Sequence, residues 1–232
     1  MRLDKLLANK AFGSRKEVHQ IIKDRRVTVN DIIVVKKDHP INIDTDTIAV
    51  DGSQISTKQL YYIKFHKPAG YITAVEDRSH PVVMDLLPPE FKKMGVFPVG
   101  RLDKDTEGLL LLTNDGVWAH SIINGHKHVP KVYYVEFHGI LSKEGLERIS
   151  AGIVLGDGIQ CKPATINILS DKSLEITIEE GKYHQVKRMI GAAGGEVTYL
   201  KRLSVGHITL SGIEEINTYL EIGDQEIADF KK

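Results

Sequence analysis

A single cysteine, Cys161, excludes an intramolecular disulfide, and no Cys/His quartet with zinc spacing accompanies it. Neither a covalent staple nor a metal site is expected, so the fold must be held by its core. No apolar stretch approaches the roughly 20 residues needed to span a bilayer. The N-terminus runs directly into charged amphipathic sequence without a secretory apolar region, and a cytoplasmic protein is the expectation. The phosphate-cradling GxxxxGK[ST] loop and the GxGxxG fingerprint are both absent, so no organic cofactor is expected. Net charge is absent too, with 31 Lys and Arg against 31 Asp and Glu. What remains is ordinary for a globular chain. Its 232 residues, 41% hydrophobic and 27% charged, suffice for one large domain or two modest ones. Nothing in the pattern indicates an oligomer, and a monomer is expected.

The zero net charge conceals an asymmetry. Residues 1–37 carry ten Lys/Arg against four Asp/Glu, a net of +6, whereas residues 212–232 carry two against six, a net of −4. A basic N-terminal segment suits electrostatic docking onto phosphates, although a solvated helix face has the same composition. Leu3, Leu6, Leu7 and Ala8 give a short first helix one apolar face, and Gly13 stops it. Ser14 followed by Glu17 forms a capping-box pattern for a second helix, with Val18, Ile21 and Ile22 at helical spacing. The alternation in Val27, Thr28 and Val29 marks a strand, and Asn30-Asp31 turns it into residues 32–35. Residues 38–56 are acidic and β-prone, residues 53–59 polar and weakly patterned, and a domain boundary is placed there, giving domains 1–58 and 59–232.

In the larger domain the most informative stretch is residues 100–112, GRLDKDTEGLLLL. The four leucines 109–112 read as a strand buried on both faces, a rigid base for the polar loop before it. Asp103 in that loop, beside Arg101, is a candidate catalytic carboxylate; the residues alone equally allow a salt-bridged surface hairpin. Residues 66–70, HKPAG, read as a tight turn that needs only its proline and glycine. Residues 165–168 and 174–178 alternate as strands around Asp171-Lys172, while residues 144–151 and 187–193 suit helices. The expected class is α+β: a small module, then a mixed, mostly antiparallel sheet with flanking helices. His120, His126 and His128 with Asp115 lack helix-fixed ligand spacing, and Asp103, Asp105 and Glu107 have no phosphoryl-transfer context, so neither group is read as a metal site.

The run GRLDxxTxGLLLLT resembles the aspartate loop of the pseudouridine synthases, in the branch containing the RsuA and RluA types. KVYYV at 131–135 and EGKYHQVKRM at 180–189 follow in the family's order. Residues 1–10 and 13–30 resemble an S4 domain, the RNA-binding module that commonly precedes this type of synthase, so the resemblance covers nearly the whole chain. It implies an isomerase that breaks the N1–C1′ bond of a uridine, turns the base and rejoins it through C5. Asp103 would carry the chemistry, as nucleophile at C1′ or as base toward the sugar. Tyr133 would lie against the target base, its neighbour Tyr134 belonging to the core. Lys187 would pair with Asp103 and Arg188 would contact phosphate, Arg101 serving as a second partner for the aspartate, an RNA contact or a loop clamp. Tyr183, His184 and Gln185 join the RNA-binding set by their place in the motif. Arg2, Arg15, Lys16, Arg25 and Arg26 are the S4-side RNA contacts that the resemblance implies. The YHQVKRM form resembles the RsuA type, which acts on small-subunit (16S) ribosomal RNA, as free RNA or as an assembly intermediate. A large-subunit (23S) synthase of the same family and a non-catalytic S4-type ribosome-assembly factor are the alternatives.

Overall fold

The computed structural model describes residues 1–10, 12–124 and 127–230. They divide into two compact units, residues 1–61 with 87–96, and residues 62–86 with 97–232.

The first unit contains helices α1 (Leu3–Asn9) and α2 (Arg15–Lys23), strands β1 (Val27–Val29), β2 (Ile32–Ile33), β3 (Ile48–Val50) and β4 (Ser53–Ile55), and the short α3 (Pro89–Lys93). Leu3, Leu6 and Leu7 meet Val18 and Ile22 over the apolar faces of β1 and β3, forming one buried cluster. The capping box closes as its sequence predicts: Glu17 Oε2 accepts from the Ser14 amide at 2.6 Å and Ser14 Oγ accepts from the Glu17 amide. Asn30 and Asp31 both take left-handed backbone, φ 51° and 64°, the twist a two-residue hairpin turn requires. The antiparallel sheet runs β2-β1-β3-β4. The chain divides between residues 61 and 62 rather than 58 and 59, and residues 87–96 join the first unit. The polar residues 53–55, read as the start of a boundary, pair in register with β3; as an edge strand β4 needs no apolar face.

The second unit is built on a mixed sheet. Its strands are β5 (Tyr62–Lys67), β6 (Phe97–Val99), β7 (Glu107–Thr113), β8 (Lys131–Gly139), β9 (Thr165–Ser170), β10 (Ser173–Ile178), β11 (Gly195–Val205), β12 (Ile208–Thr209) and β13 (Tyr219–Glu221). The order is β13-β5-β7-β11-β8-β10-β9, with β6 on β7 and β12 on β11. All pairings between these strands are antiparallel except β7 with β11. Helices α4 (Gly116–Ile123), α5 (Lys143–Ala151), α6 (Gln185–Ala192) and α7 (Asp224–Asp229) flank it. Leu109 to Leu112 are at most 1% exposed, so β7 is covered on both faces as the leucine run implies. Trp118 packs edge-on against Tyr62 and Phe230, anchoring α4 over β5 and β7. No helix among the described residues is long and apolar enough to cross a membrane.

The parallel pairing of β7 and β11 brings two backbones unusually close. Gly108, φ 106°, lies opposite Arg202, and a Cβ there would fall 2.2 Å from the Arg202 carbonyl oxygen and 2.6 Å from its nitrogen. Gly108→Ala therefore combines a strained φ with a backbone clash in the sheet centre. It is expected to lower the unfolding free energy by about 3 kcal/mol or more, measured by urea denaturation; a variant within about 0.5 kcal/mol of wild type would contradict this packing.

Candidate active site

Asp103 stands in the loop between β6 and β7, above the C-terminal half of β5. Several groups hold that loop by its backbone. Thr73 Oγ1 donates to the Leu102 carbonyl at 2.8 Å and accepts from the Leu102 amide at 3.1 Å. The Gly70 amide donates to the Lys104 carbonyl at 2.7 Å. Lys67, 0% exposed, donates through Nζ to the carbonyl oxygens of Thr106 at 2.7 Å, Pro68 at 2.9 Å, Asp103 at 3.2 Å and Lys104 at 3.4 Å. Burial draws the Lys67 ammonium down to about 8 against the pull of Asp105, Asp103 and Glu107.

The Asp103 carboxylate, 26% exposed, lies between a lysine and a histidine side chain. Lys187 Nζ of α6 is 3.4 Å from Oδ2, and His184 Nε2 is 3.5 Å from Oδ1. Lys187 makes its shorter contact, 2.5 Å, with Asp105 Oδ1. Burial works against ionisation of Asp105, but the Lys187 hydrogen bond and charge outweigh it and hold the carboxyl below its usual range. His184 precedes α6 with left-handed φ 48°, and its ring stacks on Tyr183 at 3.8 Å and 19°. Tyr183 itself is 72% exposed.

Asp103 opens onto a cavity of about 590 Å³, a size suited to a small ligand or a single nucleoside. Tyr133, Lys131, Arg202, Leu200 and Val205 contribute wall and floor, with Arg101, Tyr183 and His184 also lining it. Tyr133 is 8% exposed. Tyr134 points to the opposite face of β8, donates to Glu136 Oε1 at 2.9 Å and meets the Tyr199 ring edge-on. It is partly exposed there, not core: the alternation of the strand sends it away from the cavity onto a half-covered face.

With this geometry in place, comparison with known proteins is direct. Residues 61–192 match the RNA pseudouridylate synthase family, and residues 1–45 match the S4 domain. The chain belongs to the pseudouridine synthases. As such it is an isomerase with an S4 domain at its N-terminus. It is 42% identical over 231 residues to YtzG of Bacillus subtilis (strain 168), an uncharacterized RNA pseudouridine synthase, covering 98% of this chain and 97% of that protein. It is 36% identical over 234 residues to ribosomal small subunit pseudouridine synthase A of Vibrio cholerae, covering 100% of each. A crystal structure of a pseudouridylate synthase superposes with a TM-score of 0.69 at 31% identity, covering 99% of both chains. The α+β architecture expected from the pattern is the architecture of this family.

The pseudouridine synthase fold gathers the three ordered motifs at one place, Asp103 and Tyr133 on the cavity and Lys187 behind the carboxylate. Other sequence-predicted residues are placed differently. Arg188 is ion-paired with Asp157 at 2.5 Å and donates to the Tyr183 carbonyl, so its guanidinium is already engaged by protein. Gln185, 4% exposed, ties Glu180 (2.7 Å) to the Lys182 amide (2.9 Å) and braces the turn before α6. Arg101 is exposed at the cavity and makes no hydrogen bond or ion pair among the described residues. In the first unit, Arg2 is paired with Asp4 and Arg26 bidentately with Asp51 (2.8 and 2.6 Å), while Arg15, Lys16 and Arg25 are exposed without such partners among the described residues.

Asp115 is the N-cap of α4 and accepts from Tyr62, and His128 contacts Glu179; His126 lies outside the described residues. The sequence reading missed Lys67, treated as part of a simple turn. Its signal was weak, because Lys64 and His66 on the same strand are also charged or titratable and also buried. Arg202 was missed as well: on sequence it is one basic residue in a β-prone run.

Proposed function

We propose that this pseudouridine synthase isomerises a specific uridine in small-subunit ribosomal RNA, acting as a cytoplasmic monomer on free RNA or on an assembly intermediate. The observation that carries the reading is the Asp103 carboxylate at the mouth of a nucleoside-sized cavity, flanked by Lys187 and His184 and facing Tyr133. Asp103 either attacks C1′ or removes a proton from the sugar; Lys187, 3.4 Å from its Oδ2, keeps it oriented. Tyr133 stacks on the base, and its hydroxyl can help remove the C5 proton. A stacked uridine cannot enter such a cavity, so the target is unpaired or flipped out. Arg101 and the Tyr183–His184 stack would hold flanking nucleotides at the rim, with Gln185 shaping it. Residues 1–58 act as the docking module, through Arg15, Lys16 and Arg25 directly, and through Arg2 and Arg26 if phosphates displace their carboxylate partners. Residues 59–232 perform the chemistry, and tethering raises the effective concentration of the target. Arg188 would reach phosphate only by leaving Asp157. The choice of the small subunit is supported by the similarity to proteins that act there.

The test is a map of pseudouridines in ribosomal RNA from cells lacking the protein, complemented with wild type or Asp103→Asn. Loss of one small-subunit site, restored by wild type alone, is the expected result. Loss confined to the large-subunit RNA would reassign the substrate, and restoration by Asp103→Asn would leave an RNA-binding assembly factor as the better account.

A further inference from the structure

The chemistry creates a charge that Asp103 and Lys187 do not address. Whether Asp103 forms a bond to C1′ or takes a proton from the sugar, the C1′–N1 bond breaks with its electron pair on the base. The detached uracil is then an anion, its charge spread over N1, O2 and O4. It must turn, form the C5–C1′ bond, lose the C5 proton and gain one at N1, with no net change in atoms or electrons. A departing anion in a cavity that the nucleoside fills needs fixed donors or cations, because water is displaced.

Among the cations that line the cavity, two stand on the same face as Tyr133. In the β8–β11 register Arg202 lies directly opposite Tyr133, and Lys131 is two residues before Tyr133 on the same strand, so all three side chains share one face. All three line the cavity. Arg202 is 4% exposed; its Nε donates to the Leu109 carbonyl at 2.7 Å, whereas its buried Nη2 has no hydrogen-bond partner among the described residues. A guanidinium that lines a nucleoside-sized cavity and keeps an uncommitted nitrogen can turn a donor to an acceptor that enters the cavity. Lys131 Nζ donates to the Val129 carbonyl at 2.7 Å and keeps two further hydrogens. Burial and then the neighbouring Arg202 charge draw its ammonium down to about 8. The carboxylate that opposes this, Glu179, is hydrogen-bonded to His128 at 2.9 Å.

We propose that Arg202 and Lys131 form an anion-stabilising pair for the departing uracil, donating to its O2 and O4 while it is detached from C1′. The inference rests on the assignment of the cavity to the target uridine. Its chemical content is separate from the unresolved role of Asp103, since both routes release the same anion. Tyr133, directly opposite Arg202, keeps the ring over these donors as it turns.

The test measures single-turnover rates and RNA affinity for wild type, Arg202→Met, Arg202→Lys, Lys131→Met and Asp103→Asn. The substrates are small- and large-subunit ribosomal RNAs transcribed with uridine or with 5-fluorouridine. Fluorine makes the base a better leaving group that depends less on the pair. The readout on both RNAs is loss of the substrate nucleoside, quantified by mass spectrometry after digestion; C5 of 5-fluorouridine has no proton to lose, so its C5-glycosylated product is collected as the adduct of water at C6. The expected result is a fall of about 10²–10³-fold in rate on uridine RNA for Arg202→Met, and a comparable fall for Lys131→Met. RNA affinity should stay within about threefold and Arg202→Lys should recover part of the rate. The defect on 5-fluorouridine RNA should be at least about tenfold smaller. Weakened RNA binding with an unchanged rate would make these residues phosphate anchors, and equal defects on both bases would make them structural; either overturns the proposal. If Arg202→Met fails to fold by circular dichroism, Lys131→Met decides alone, and a normal rate in it is a refutation. An Asp103→Asn enzyme as active as wild type would instead refute the assignment of the cavity.

Discussion

Asp103→Asn is expected to lower the single-turnover rate of pseudouridine formation by about 10⁴-fold or more, while Asp105→Asn lowers it by less than about tenfold. The two carboxylates are two residues apart and share Lys187, yet their settings differ. Asp103 lines the cavity and is 26% exposed, whereas Asp105 is 72% exposed and lies outside the lining. An amide at 103 retains shape and hydrogen bonding but can neither attack C1′ nor accept a proton from the sugar. An amide at 105 keeps an acceptor for Lys187 but removes the negative charge from the shorter of its two contacts, leaving Asp103 as its charged partner. The comparison is made on the same RNA, with binding measured in parallel so that a fall in rate is separated from a fall in affinity. Equal losses in the two variants would show that the carboxylates act as a unit, and an active Asp103→Asn would remove this residue from the chemistry altogether.

The second large effect is expected from Lys67→Met. Methionine fills much of the same volume but leaves the backbone oxygens of Thr106 and Pro68 without the ammonium, while those of Asp103 and Lys104 keep only their bonds from the Thr106 and Gly70 amides. Orphaned buried acceptors cost roughly 1–3 kcal/mol each, so a loss of about 3 kcal/mol in unfolding free energy is expected, together with a large fall in turnover as the aspartate loop loosens. The pH dependence separates this from generic damage. Burial lowers the folded-state pKa of Lys67 to about 8, below the ordinary lysine value of the unfolded chain, so the unfolded state binds more protons between the two. Stability from this group therefore rises as pH increases from about 8 toward about 10. Lys131 contributes in the same direction, whereas Tyr62 and Tyr199, whose pKa values burial pushes up, favour the unfolded state only at higher pH. Denaturation midpoints across this window should climb less steeply in Lys67→Met than in wild type. An unchanged slope and unchanged stability would remove Lys67 from the support of the loop.

Local chemistry was legible in the sequence because it is written in neighbours. The capping box at Ser14 and Glu17, the Asn30-Asp31 turn and the leucine run of β7 each depend on residues a few positions apart, and each forms as the pattern implies. The helices and strands between residues 143 and 192 also follow from spacing alone, to within two residues at their ends. The three motifs carried the family, and with it the expectation that Asp103, Tyr133 and Lys187 belong together.

Tertiary structure decided what neighbours cannot encode. Asp103 and Lys187 are far apart in sequence, and only the fold places the lysine 3.4 Å from Asp103 and 2.5 Å from Asp105. Gln185 and Arg188 carry the same side chains whether they meet RNA or protein; packing gave them Glu180 and Asp157 as partners. The burial of Lys67 and Arg202 is likewise invisible locally, since a basic residue in a β-prone run is ordinarily solvated. Sequence by itself determined the elements named above, the family and the candidate carboxylate, because periodicity and motif are short-range properties. Only the sheet, by pairing β7 with β11 and β11 with β8, decided which cations share the cavity with that carboxylate, because charge environment and burial are set by groups brought together from distant parts of the chain.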